Sequence, residues 1–327
     1  MTEQAHTAGD RLTIAEIRDA QGAIAGRIHR TPLLSFRALG ERIGATAYVK
    51  AEVLQKTGSF KVRGALNKVR LLSDEERARG LIALSAGNHA QGVAYAAAAY
   101  GARATVVMPA TAPLSKVAAS RSYGAEVIQH GTVGDAFELS LRLQHEHGYT
   151  YIHPYDDLAI MAGQGTVGLE ILEDLPDADV IVAGVGGGGL AVGVAAAARA
   201  LRPSARVIGV EPERSAALTE ALRAGKVVRI QGGETIADGL AAPQTGELVL
   251  ELAPALLDDV VLVTEEELAE GVAFLLARGK LLAEAAGAAP IAALLAGKIA
   301  VRPGERVVAI ASGGNVDLSR LAQLITR

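Results

Sequence analysis

The chain has 327 residues, more than one hydrophobic core commonly holds, so two domains are expected. A net charge of -4, the absence of Trp and an aromatic content of 3% exclude the clustered positive charge and stacking platforms of a nucleic-acid surface. No apolar run nears the ~18 residues of a membrane span, and the lack of cysteine excludes disulfides, thiolate metal sites and a thiol nucleophile.

The polar N-terminus MTEQAHTAGDR has no apolar export core, so the expected address is the cytoplasm and the expected ligand a small molecule. Ile14, Ile17, Ala20, Ile24 and Ile28 recur at helical spacing, which predicts a helix over 13–28 capped by Asp10 and stopped by Arg30, Thr31 and Pro32. Residues 47–53, AYVKAEV, alternate as a strand does. A turn at Gly58 then leads to Lys61 at the start of a helix through Ala65, Leu66 and Val69.

Three similar modules follow. The first, residues 80–109, reads as a strand at 81–84, a polar turn at 85–89, an alanine-rich helix at 91–100 and a strand at 104–108, with a helix at 113–123 and a strand at 125–128 beyond it. The second, residues 179–213, repeats that order at greater length, and the third, RVVAIASGGNVDLSRLAQL, is strand, glycine-containing turn and helix. Alternation of this kind builds parallel sheets, whose ligands bind at the carboxyl ends of the strands. The fold class expected is α/β, with two open, twisted, mainly parallel sheets flanked by helices. A small domain over 55–155 is inserted into a large one made of 1–54 and 156–327.

Chemistry concentrates at four places. Lys61 follows Gly58, Ser59 and Phe60, and an amine whose stem lies against a ring and small residues loses preference for its charged form and gains nucleophilicity. Taken alone it is one of 32 Lys plus Arg, most of them solvated. Gly186, Gly187, Gly188 and Gly189 follow the buried run 180–185 and precede a helix near Leu190, so consecutive N–H groups and a helix N-terminus can face a phosphate. The turn Ser85, Ala86, Gly87, Asn88, His89 opens another helix, with N–H groups free for a carboxylate. Ser312 offers a hydroxyl beside two glycines.

Gly184, Gly186 and Gly189 also satisfy GxGxxG, with Glu211 about 20 residues on, so an NAD(P)-dependent oxidoreductase stays open on this pattern. So does an amino-acid binding module without chemistry.

An amine, a phosphate cradle, a carboxylate cradle and a lone hydroxyl match the needs of pyridoxal 5'-phosphate. From about Ile14 onward the chain resembles the fold-type II pyridoxal phosphate enzymes, in the threonine dehydratase and serine racemase group. KTGSFKVRGA, SAGNHAQGVA, GVGGGGL, ETIADG and SGGNVDLSR stand in that group's order. The resemblance implies that Lys61 is the Schiff-base lysine and Phe60 its ring neighbour. It implies that Asn88 meets the phenolic oxygen, that Gly186 to Gly189 with Leu190 hold phosphate, and that Ser312 faces the pyridine nitrogen. Ser85 to His89 would take the substrate carboxylate, and the partners implied are a small amino-acid substrate and a homo-oligomer, dimer or tetramer.

By the same resemblance the reaction is α,β-elimination from a β-hydroxy amino acid, L-threonine and also L-serine, to a 2-keto acid and ammonia. Serine racemase and 3-hydroxyaspartate dehydratase are the alternatives within the group. Racemases of the group resemble SSGNH, whose second serine is the opposite-face base; this chain has Ala86 there. A divalent cation would use Glu211, but Ala217 stands where a second carboxylate is expected, and Glu211 reads equally as a solvated strand end. His153 and Tyr155 are expected to border the substrate pocket.

Overall fold

The computed structural model describes residues 11–231 and 234–325. The first helix is shorter than its apolar pattern, Ile14–Ile24, because Ala25 turns extended and Gly26 takes φ 74°. Its cap is Thr13, in a capping box with Glu16. Asp10 lies outside the described residues.

Strands β1 (Leu33–Ser35) and β2 (Thr46–Lys50) start a six-stranded sheet, and β7 (Val180–Gly184), β8 (Arg206–Pro212), β9 (Asp259–Val263) and β10 (Arg306–Ile310) complete it, in the order β1-β2-β10-β7-β8-β9. Every pairing is parallel except β1 with β2. The second sheet, β5-β4-β3-β6, is wholly parallel and comes from β3 (Leu81–Leu84), β4 (Ala104–Met108), β5 (Glu126–Gln129) and β6 (Thr150–Tyr151). Separate apolar cores cover the two faces of the large sheet, and a third packs around β3 and β4. Strands buried on both faces read as the unbroken apolar runs VIVAG and, after Arg306, VVAI.

β2 ends at Lys50, three residues before its alternating pattern does, and the chain turns through a 3₁₀ segment at Glu52–Leu54. The reason is a buried ionic cluster. Arg63 Nε and Nη2 donate to the two oxygens of Glu52 at 2.8 Å each, while Nη1 and Nη2 donate to Glu170 at 2.7 and 2.9 Å. Lys50 Nζ reaches Glu170 at 2.6 Å, and Thr31 donates to Glu52. All four charges are buried. Two cations and two carboxylates thereby tie β2, the Lys61–Arg70 helix and the Leu158–Asp174 helix together.

The helix that starts at Lys61 also approaches the Leu158–Asp174 helix very closely. A Cβ on Gly163 would lie 2.7 Å from the Arg63 carbonyl, so only glycine permits this spacing. The middle helix packs in turn on the Gly189–Leu201 helix. Lysine and glycine turn are thus fixed to one frame.

Candidate active site

The loops that follow β2, β3, β7 and β10 converge on one cleft of about 320 Å³ between the two sheets. One wall carries Ser85, Ala86, Gly87, Asn88 and His89, the other Gly186 to Leu190 and Ser312, with Phe60 and Lys61 also in the lining. Every site residue expected from sequence, Glu211 and His153 apart, therefore faces a common space.

Lys61 is placed by backbone, not by neighbouring side chains. Phe60 N donates to Ser312 O at 3.1 Å, Gly314 N donates to Gly58 O at 2.9 Å, and Ser59 forms an isolated bridge with Gly313. The loop bearing the lysine is laced to the loop bearing the hydroxyl. Lys61 Nζ donates to Pro154 O at 2.7 Å and stands 5.2 Å from the Phe60 ring centroid. Burial brings its pKa down to about 8, which raises the share of nucleophilic amine near neutral pH.

The glycine turn shows why side chains are absent from it. Gly188 takes φ 97°, a Cβ on Gly187 would overlap the Tyr155 ring, and one on Gly189 would lie 2.8 Å from Tyr155 O. The Gly189–Leu201 helix starts directly beyond, so its first N–H groups have no partner within the helix. Backbone donors and a positive helix end face the cleft with nothing to obstruct an anion.

The helix after β3 begins at Asn88, three residues earlier than its alanine run, so the polar turn shortens to Ser85–Gly87. His89 falls inside the first turn of that helix, and its Nε2 lies 2.8 Å from Ile152 O. Burial, aided by Lys61, depresses its pKa to about 3 and leaves a neutral ring. Asn88 occupies a polarised chain. Asn315 Nδ2 donates both to Thr57 O at 2.8 Å and to Asn88 Oδ1 at 2.7 Å, which directs Asn88 Nδ2 to Glu284. The second hydrogen on that nitrogen is left for a ligand.

Glu284 was not singled out by sequence. Its side chain is buried in the cleft, and burial together with Asp238 raises its pKa to about 7. Lys116 was passed over and Asp238 figured only inside the motif ETIADG, although both line the cleft. Tyr155 borders the cleft as expected. His153 does not line it but braces Tyr155 with ring centroids 4.7 Å apart, while its Nδ1 accepts from Asp156 N at 2.8 Å.

Glu211 is no solvated strand end. It is buried, and accepts from Leu218 N at 2.7 Å, Thr219 N at 2.9 Å and Thr219 Oγ1 at 2.6 Å. Both oxygens are committed to the start of the Ala217–Ala224 helix, where a carboxylate is favoured by the unpaired N–H groups.

The residues present fit pyridoxal phosphate. The glycine turn is an anion seat packed so closely on Tyr155 and Val249 that Cβ atoms on Gly187, Gly188 and Gly189 have no room, and Lys61 is an amine of lowered basicity in the same cleft. Ser59 Oγ and Thr57 Oγ1, on the segment leading to that lysine, are buried hydroxyls without a hydrogen-bond partner, but neither lines the cleft.

Comparison with known proteins gives concordant results. The family model for pyridoxal-phosphate dependent enzymes matches residues 24–313. The chain is 47% identical over 317 residues to the L-threonine ammonia-lyase of Thermotoga maritima, covering 97% of this chain and 79% of that protein. It is 42% identical over 315 residues to the catabolic L-threonine dehydratase TdcB of Escherichia coli K12, covering 96% of each. The solved structure of maize serine racemase superimposes with a TM-score of 0.91 at 37% identity, covering 97% of both chains.

Proposed function

The chain belongs to the pyridoxal-phosphate dependent enzymes, and on that premise we propose that it deaminates L-threonine, and also L-serine, by β-elimination. Water is lost from the β-carbon and regained at the α-carbon, so the net products are the 2-oxo acid and ammonia. The single observation that carries this reading is the cleft itself, in which a buried amine of lowered pKa shares one space with an anion seat and with Ala86.

Bound there, pyridoxal phosphate supplies a sink for the electron pair left behind when the α-proton departs. Gly186 to Gly189 and Leu190 would seat its phosphate, Asn88 its phenolic oxygen and Ser312 its ring nitrogen, with Phe60 beside the ring. Lys61 takes the α-proton, since its amine is increasingly neutral as pH rises through about 8. Its bond to the Pro154 carbonyl aims Nζ into the cleft. The substrate carboxylate is received by the N-terminal turn at Ser85 to His89. His89 is no competing base, because its ring is committed to Ile152 and protonates only at about pH 3.

Ala86 has no hydroxyl from which a proton could return to the other face of the α-carbon. This supports elimination over racemisation, despite the close likeness to a serine racemase. A small domain over 55–155 within a large one is supported by the four-stranded sheet drawn entirely from residues 81–151. Work in the cytoplasm as a dimer or tetramer completes the proposal, and the family resemblance is what supports both.

The test is turnover of Lys61→Ala reconstituted with cofactor. Release of 2-oxobutyrate from L-threonine should fall by at least a thousandfold; full retention by the variant would refute the assignment.

A further inference from the structure

Beyond the groups that serve the reaction, the cleft lining holds three charged side chains, Lys116, Asp238 and Glu284. Lys116 lies on the Leu114–Ser122 helix beside the small sheet, Asp238 on the Asp238–Leu240 turn beside the large one. Their side chains meet across the cleft, Lys116 Nζ to Asp238 Oδ2 at 2.5 Å. The lysine is the more buried partner, 16% exposed against 60% for the aspartate. Glu284 stands close enough to feel both, since Asp238 raises its pKa and Lys116 lowers it.

This arrangement fixes the charge that a substrate side chain encounters. Among the described residues the cleft is lined by two lysines, and Lys61 is reserved for the α-carbon. Lys116 is neutralised by Asp238, while Glu284 can add a negative charge. A hydroxyalkyl side chain is indifferent to such a surface. A second carboxylate is not, because it would find no unpaired cation and would be desolvated beside one or two acids.

We propose that Asp238 determines side-chain specificity: by holding Lys116 it keeps the cleft selective for β-hydroxy amino acids with uncharged side chains and closed to those with a second carboxylate, such as 3-hydroxyaspartate. The inference deepens the proposed function and rests on it for the reacting substrate. Specificity of this kind comes from what the site withholds as much as from what it offers.

The experiment uses the cofactor-loaded enzyme and Asp238→Asn, which removes the charge at nearly constant volume and releases Lys116. Two ratios are read: kcat/KM for L-threo-3-hydroxyaspartate over L-threonine, and affinity for L-aspartate over L-2-aminobutyrate, neither of which has a β-hydroxyl to lose. Both ratios should rise at least tenfold in Asp238→Asn, and both should return to the wild-type value in the double variant with Lys116→Met. Asp238→Ser, at the same exposed position, repeats the test should the asparagine variant fail to fold. A rise of less than tenfold in either ratio, or a raised ratio that survives Lys116→Met, overturns the proposal. Absence of threonine turnover in the wild type would refute the proposed reaction instead, and the binding ratio would still decide the role of Asp238.

Discussion

Replacing Arg63 by Met tests whether the buried ionic cluster holds the helix that carries Lys61. The change keeps most of the side-chain volume but removes four charge-assisted hydrogen bonds of 2.7 to 2.9 Å to Glu52 and Glu170. It leaves Lys50 as the one cation against two buried carboxylates. Removing one partner from a buried pair costs about 3–5 kcal/mol, mostly through the uncompensated charge left behind. Guanidinium unfolding of the cofactor-loaded protein should show that loss. Adding Glu52→Gln restores neutrality, so the double variant should be more stable than Arg63→Met alone, a coupling that distinguishes charge balance from mere packing. The pH response gives a second check. Burial pushes the Glu52 carboxyl up, but Arg63 outweighs it and holds the pKa below the ordinary 4.5. A lowered folded-state pKa contributes stability that is present above the unfolded value and lost as pH falls through the folded one. Arg63→Met should therefore move the acid-unfolding midpoint upward. A loss below about 1 kcal/mol, or a double variant no better than the single, would refute the reasoning.

Gly187→Ala should cost about 1–3 kcal/mol and weaken cofactor affinity at least tenfold by equilibrium dialysis, because its Cβ would overlap the Tyr155 ring and shift the anion seat. Glu284 reverses the usual pH sign for a carboxyl. Its pKa is raised to about 7, so the folded state holds an extra proton between the ordinary 4.5 and about 7, and stability declines as pH climbs through that window. Glu284→Gln should remove this decline in denaturant midpoints taken from pH 5 to 8, and an unchanged slope would show that Glu284 is not the titrating group. Ala86→Ser should give conversion of L-serine to D-serine detectable by chiral chromatography while elimination persists; its absence would mean that the second face lacks more than a hydroxyl.

Sequence legibility followed the kind of interaction involved. The buried parallel strands were readable almost to the residue at Leu81–Leu84 and Ala104–Met108, because burial on both faces makes an apolar run with sharp polar ends. The glycine turn and Lys61 were readable as candidates for one cleft because each stands in a short stretch of distinctive residue types. Charges that meet through space were not. Arg63 and Lys50 look like surface cations until the fold sets them against Glu52 and Glu170, and that pairing is also why β2 stops early. Glu211 misled in the same direction, since its partners Leu218 and Thr219 look unremarkable in the string. Glu284, Asp238 and Lys116 come from three distant segments, so even the motif ETIADG around Asp238 said nothing of its meeting Lys116. Where a helix began depended on caps: Thr13, inside a capping box with Glu16, fixed the first start more sharply than the apolar pattern did.

The strand order has a bearing on how the protein is made. β10 is tenth in sequence yet lies between β2 and β7. While a ribosome is still threading the C-terminal quarter of the chain, β2 and β7 each present an unpaired edge, the kind of surface on which nascent chains adhere to one another. The backbone lacing of Gly58 to Gly314 must wait for the same insertion. A chain cut short before β10 would thus be both inert and adhesive, leaving chaperones and proteases to deal with it.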